Sequence, residues 1–367
     1  MAALVGVRAG RASIRARAST EIYSVDPDRP ANFVDLTNNA ANDSFPVESP
    51  RGGRLAFVSD RDGYDAVYVM NEDGSDQHRL TDRITEAPNT ICHLSEPAWS
   101  PGGASIAFTT SCVLLDGDPR NILTFIDLVS SAGGSVRELV AGGSDPSFSA
   151  DGRFVAYEQQ TTLTASPSVG FVAARGSRPI SLGSGYGPGW SPTGHRLAFH
   201  TGPVGIAVVN VVRPRRRWTL RNATAGAPAW SPRRNLIAFS SGGPRPGIYV
   251  AVPGGRRASR LVDLGEWAEV HWSPNGRWLA LSGAASTYVV RADGRFLARV
   301  GGGGSEPVWS RDSARVAWAD QSLGNAGLMV AKPRGATKLV AQSTEVDGIT
   351  WTHDSSRVIF ASACATC

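Results

Sequence analysis

The chain is almost without lysine: Lys332 and Lys338 are the only two, and the other 35 of its 37 basic residues are arginines. Its formal net charge is only +5, and its densest basic run, Arg213, Arg215, Arg216 and Arg217, is well separated from Arg256, Arg257 and Arg260. Nucleic-acid binders concentrate positive charge in a stripe; these arginines read instead as solvated hairpin tips, and no nucleic-acid partner is expected. Uninterrupted apolar runs of about 18 residues are missing too, which excludes a membrane-spanning helix. The six histidines (His78, His93, His195, His200, His271 and His353) show neither His-x-His nor His-Glu-x-x-His spacing, so no zinc-hydrolase motif is present. A hydrolase elbow, Gly-x-Ser-x-Gly, is also missing.

Glycine and proline, by contrast, are abundant. The 41 glycines and 23 prolines make up about 17% of the chain against a usual ~12%, which argues for many turns between short elements. With 367 residues and 41% hydrophobic content, the chain can bury a sizeable core. Residues 1–20 carry Arg8, Arg11, Arg15 and Arg17 and no acid. Their apolar stretch is too short for a complete secretory signal, so they read as a disordered arm or the remnant of an export signal.

One phrase recurs along the rest. Glu96-Pro97-Ala98-Trp99-Ser100-Pro101-Gly102-Gly103 is followed by Ile106-Ala107-Phe108, and further copies place the aromatic at Phe148, Trp190, Trp230, Trp272, Trp309 and Trp351. A weaker first copy, Pro46-Val47-Glu48-Ser49-Pro50, puts Glu48 in that place. The spacings of 51, 49, 42, 40, 42, 37 and 42 residues average about 43, the period of a four-stranded propeller blade. Each copy reads as a strand ending at the aromatic, a Ser-Pro-x-Gly turn and a buried strand. A second hairpin follows, as around Asn71-Glu72-Asp73-Gly74.

The two ends are incomplete in complementary ways. Residues 21–37 look like an outer strand pair without an inner one, and residues 349–362 like an inner pair without an outer one. Joined, they make one blade and remove the exposed strand edges. The expectation is therefore an all-β propeller of eight four-stranded blades over residues 21–363, with seven as the alternative count and residues 364–367 as a tail. Six of the ten tryptophans occupy the repeated position, where a large ring fills the gap between blades.

These phrases, and above all Phe57-Val58-Ser59-Asp60-Arg61-Asp62-Gly63 with Tyr68-Val69-Met70-Asn71-Glu72-Asp73-Gly74-Ser75, resemble the TolB-like propeller family, the WD40-like repeat class of bacteria. The resemblance specifies fold more than function, since one fold hosts many roles. It implies a periplasmic or otherwise extracytoplasmic protein. The Tol-Pal protein itself has a small additional domain and six blades, a pattern from which this chain departs. Related propellers of prolyl peptidases carry a separate hydrolase domain, whereas here the repeats fill the chain. A monomeric, non-enzymatic scaffold binding a protein or peptide is the expectation, with a metal-dependent lyase or hydrolase and a carbohydrate-binding propeller as alternatives.

Innermost strands of a propeller line its central channel. Three residues upstream of the aromatics stand Glu96, Asp145, Gly187, Ala227, Glu269, Glu306 and Gly348, with Asp347 one step earlier. Two unit charges about 8 Å apart repel by roughly 2 kcal/mol at an effective dielectric of 20, so converging carboxylates hold a proton, recruit a cation or bind a basic segment. The plainer reading is that each acid caps the backbone of its own blade. Glu96, Asp145, Glu269, Glu306, Asp347 and Trp267 are the candidate ligand-binding residues. Glu96, Glu269, His271 and Glu306 would hold a divalent cation in the metal-dependent alternative; otherwise no cofactor is expected. Cys92 and Cys112 bracket one inner hairpin and are a candidate disulfide in an oxidising compartment. Cys364 and Cys367 read as a terminal staple or free thiols.

Overall fold

The structure, a computed structural model, describes residues 19–84, 89–114, 122–159, 166–202, 205–214, 217–221, 226–242, 244–264, 268–304, 307–321, 327–343 and 346–363. These residues form strands, turns and bends with no α-helix among them, and the strands assemble into eight four-stranded antiparallel sheets. Seven sheets are consecutive stretches of chain. The eighth unites both ends: β1 (Glu21–Asp26) and β2 (Arg29–Asp35) supply its outer half, and β31 (Val346–Trp351) and β32 (Val358–Ser362) its inner half. The seam runs antiparallel from Glu21 opposite Ser362 to Val25 opposite Val358. The expected count of eight and the expected mode of closure are both present.

Blade 1 contains β3 (Asp43–Glu48), β4 (Arg54–Ser59), β5 (Ala66–Asn71) and the two-residue β6 (His78–Arg79). Blades 2 to 7 begin at inner strands β7 (Thr90–Trp99), β11 (Gly143–Phe148), β15 (Tyr186–Trp190), β19 (Ala229–Trp230), β23 (Ala268–Trp272) and β27 (Val308–Trp309). In most blades the second strand, such as Arg-Leu-Ala-Phe-Val-Ser in β4, is buried along almost its whole length. Both its faces pack against neighbouring blades, so it shows no alternation of apolar and polar residues.

The repeated tryptophan does more than fill space. The indole N–H of Trp99, Trp190, Trp230, Trp272, Trp309 and Trp351 donates in each case to a backbone carbonyl of the preceding blade, at Val47, Ser147, Gly189, Ala229, His271 and Val308, over 3.0–3.2 Å. Each acceptor lies one residue before the equivalent aromatic position. The ring thus carries one clasp, repeated at six of eight blade junctions; Phe148 and Glu48 occupy the other two.

The Ser-Pro turns explain their own sequence. The first hydroxyl accepts the N–H that opens the next strand, as in Ser191 with Arg196 and Ser310 with Arg315. In most copies the turn takes a left-handed residue, glycine at Gly103, Gly152, Gly194 and Gly276 but Ser313 and Ser355, each at φ 63°, in the last two; the turn of blade 5 has none. Those serines are compensated: Ser313 Oγ accepts the Asn275 N–H and Ser355 Oγ the Asp312 N–H, tying each turn to the one before it.

Candidate functional site at the channel mouth

Up-and-down blades put the loops between second and third strands, and those leading from one blade to the next, on one face of the ring. That face is here termed the mouth face. The turns after the repeated aromatic, and the outer hairpin turns, lie on the opposite face, here termed the turn face.

The position three residues before the aromatic is a backbone feature first. In five blades it is a β-bulge in the left-handed region: Phe45 (φ 54°), Glu96 (55°), Asp145 (54°), Gly187 (62°) and Gly348 (57°). The strand register shifts at each of these places. A left-handed residue costs about 1–2 kcal/mol when it is not glycine, so Glu96 and Asp145 are retained there against backbone preference. Such a bulge re-aims the side chain away from the regular pleat.

Glu96 and Asp145 come together. Glu96 Oε2 accepts the Asp145 N–H at 3.0 Å and the Thr109 hydroxyl at 2.9 Å. In the next blade Glu158, at the end of β12 (Phe154–Gln159), accepts the Gly187 N–H at 2.6 Å. Carboxylates therefore do cap backbone, as the plainer reading holds, but the backbone capped is the bulge of the following blade. Burial and the neighbouring Asp145 carboxylate push the Glu96 carboxyl up to about 7, and burial also raises Glu158. No arginine, lysine or histidine among the described residues forms an ion pair with Glu96, Asp145 or Glu158.

The other sequence candidates are placed differently. Glu269 sits opposite Ser282 in regular register, and its carboxylate lies 3.8 Å from His271 Nε2. That neighbour lowers the Glu269 carboxyl below its ordinary range. Trp267 and Glu306 lie outside the described residues, as do Cys364 and Cys367; Asp347 belongs to β31, but its side chain is outside that description as well. Among the described residues no three His, Cys, Asp or Glu side chains gather within reach of one metal ion.

Blade 2 rises above its neighbours at this face. Its strands β7, β8 (Ser105–Leu114) and β9 (Ile122–Ser130) have ten, ten and nine residues. Cys92 and Cys112 face each other across the first two and are joined by a disulfide. Ile91, Ile122 and Leu123 are more than 40% exposed on this extension. At its foot, between blades 1 and 2, is a cavity of about 410 Å³ lined by Asp60, Tyr64, Asp65, Arg83, Ile91 and His93 among others. Asp65 Oδ2 holds the Leu94 N–H and His93 Nδ1 there, each at 3.1 Å. Glu158 and Asp65 are not marked as site residues in the sequence: Glu158 stands ten residues after Phe148, where the equivalent positions are Thr109, His200, Ser240 and Ser282, so no acid recurs there.

No protein-family model matches the chain. An uncharacterized peptidase, YuxL of Bacillus subtilis, is 30% identical over 165 residues, which is 36% of this chain and 24% of that protein. The chain thus spans about a quarter of that relative's length. Solved structures agree in fold. One from a study of two prolyl endopeptidases has a TM-score of 0.58 at 13% identity, covering 87% of this chain and 54% of that one. The dipeptidyl peptidase 4 of Porphyromonas gingivalis has a TM-score of 0.55 at 15% identity, covering 83% and 54%. Structures of TolB are among the neighbours, one from Agrobacterium tumefaciens at 13% identity and TM-score 0.44 covering 94% of this chain and 98% of that one. The eight four-stranded sheets and the likenesses to the two peptidase structures show a β-propeller fold.

Proposed function

We propose that the chain is a non-enzymatic binding scaffold of the bacterial envelope or exterior, whose channel-mouth face receives a basic segment of a protein or peptide. The observation that carries this reading is the Glu96, Asp145 and Glu158 group. Asp145 neighbours both Glu96 and Glu158, burial raises those two carboxyls, and no described cation pairs with any of the three. A guanidinium or ammonium from a partner relieves their mutual repulsion and gains charge-assisted hydrogen bonds. The exposed apolar residues of the blade 2 extension add contact area beside the mouth. The disulfide fits an oxidising compartment.

The test compares capture by the wild-type chain and by E96Q/D145N from native envelope extract, with partners identified by mass spectrometry. A partner bound by the wild type and lost from the variant supports the channel mouth as the site. Equal capture by both moves binding elsewhere.

A second reading has a specific observation behind it. The likeness to a peptidase and to the propeller-bearing structures of two peptidase classes supports a role as the propeller part of a peptidase. Peptide hydrolysis that copurifies with the native protein would favour this reading. Its absence, together with partner binding that depends on Glu96, would favour the scaffold.

A further inference from the structure

The turn face of blades 4 to 7 has a different chemistry from the mouth. In blades 4, 5 and 6 both turns on this face, and in blade 7 the outer turn, contain one acidic residue, Asp293. Arginines crowd the same turns, and four of them line a single concavity of about 550 Å³: Arg234 of blade 5, Arg277 and Arg291 of blade 6 and Arg334 of blade 7. Trp278, the first residue of β24 (Trp278–Gly283), forms its wall.

Asp293 does not neutralise this set. One of its oxygens faces Arg291 Nε at 3.2 Å and the other accepts the Arg295 N–H, so its charge is matched by Arg291 alone. Arg234, Arg277 and Arg334 have no carboxylate partner among the described residues. Arg334 is nonetheless held in place: its guanidinium lies 5.7 Å from the Trp278 ring centre and 5.5 Å from that of Phe296, two rings that meet edge to face. A cation–π contact of this kind holds the guanidinium beside the rings, and its planar fork suits a bidentate oxyanion. A concavity of this size matches small-molecule sites.

We infer that the pocket formed by Arg234, Arg277, Arg291 and Arg334 binds a small polyanion carrying two or more phosphate or carboxylate groups. Separate anionic groups match guanidiniums contributed by three successive blades, so a multivalent ligand is preferred over a single anion. The site is on the opposite face from the acidic mouth and is independent of what binds there.

Calorimetric titration at constant ionic strength tests this, using inorganic tripolyphosphate and citrate as the two probes and orthophosphate as the monovalent-site control. The expected result is saturable one-to-one binding of at least one multivalent probe, with orthophosphate at least tenfold weaker. Preference between the two probes tells a phosphate source from a carboxylate source. R277A/R334A weakens binding tenfold or more, whereas R213A, which removes a charge from the same face outside the pocket, changes it less than twofold. R334K keeps the charge but loses the planar fork, and weakens binding at least threefold in a chain whose folding is least disturbed. Absence of saturable binding, an equal effect of R213A and the pocket variants, or full retention of affinity in R334K overturns the inference.

Discussion

Arg311 and Glu48 are 263 residues apart in sequence, and their side chains meet with Nη2 2.8 Å and Nε 2.9 Å from Glu48 Oε2. Glu48 stands where six other blades have tryptophan, at the junction between the closing blade and blade 1. Arg311 reaches it from the turn of blade 7 and also donates to the carbonyls of Ser49 and Pro50. The same guanidinium therefore joins blade 7 to blade 1 across the joint blade. An ion pair at the closure replaces the indole clasp used elsewhere.

Removing Arg311 leaves a carboxyl with side-chain exposure of 5%, which burial pushes up to about 7, with His353 Nδ1, 3.6 Å from Oε1, as its remaining basic neighbour. Breaking a buried pair on one side costs up to 3–5 kcal/mol; since Arg311 itself is partly exposed, R311A is expected to destabilise by about 2 kcal/mol. R311A/E48Q should recover part of that loss, because no charge is then stranded. Urea denaturation of the single and double variants measures both.

The tryptophan clasp makes a separable prediction. W230F keeps a buried ring but removes the N–H bonded to the Gly189 carbonyl, and should cost about 1 kcal/mol. W230A also opens a cavity and should cost about 3–5 kcal/mol. F148W, at the junction that lacks an indole, should be tolerated or mildly stabilising if the ring fits. Equal loss in W230F and W230A would show that the bond, rather than the packing, dominates.

Glu96 gives the stability a pH dependence of defined sign. Its folded carboxyl titrates at about 7, above the unfolded value near 4.5, so the folded chain holds the proton more tightly. Stability from this group is therefore greatest below the unfolded value and declines as pH rises towards 7. E96Q should raise the melting temperature at pH 8 relative to wild type and change it little at pH 4.5. Melting curves of the two proteins across that range decide it.

The disulfide closes a 20-residue separation and, by loop-closure entropy, contributes about 3 kcal/mol. Peptide mapping without reductant should recover the Cys92 and Cys112 peptides linked. Reduction should make the blade 2 extension the first site of proteolysis while the rest of the ring persists.

The fold was legible because its cause is local and repeated. Trp99 and its equivalents, the Ser-Pro turns and the complementary ends of the chain are written at a fixed period, and each recurs in the blade it builds. The first copy was disguised because Glu48 has a polar role at the closure. The site was less legible for the opposite reason. Glu96 and Asp145 stand at a repeated offset and are found by counting, but their bonding crosses from blade to blade. Glu158 comes from the end of a second strand, at a repeat position where other blades carry Thr109, His200 or Ser240 rather than an acid. Arg277 and Arg334 look like ordinary turn residues until three blades bring them around Trp278.

The central claim, that the channel mouth binds cationic segments, is tested most directly by titrating a short arginine-rich peptide into the chain at pH 8 and pH 5.5 and fixed ionic strength. Wild type should bind one peptide per chain, at least threefold more tightly at pH 8, where the Glu96 group is ionised, and E96Q/D145N should lose tenfold or more at pH 8. Affinity that is independent of pH and unchanged in the variant would contradict the account.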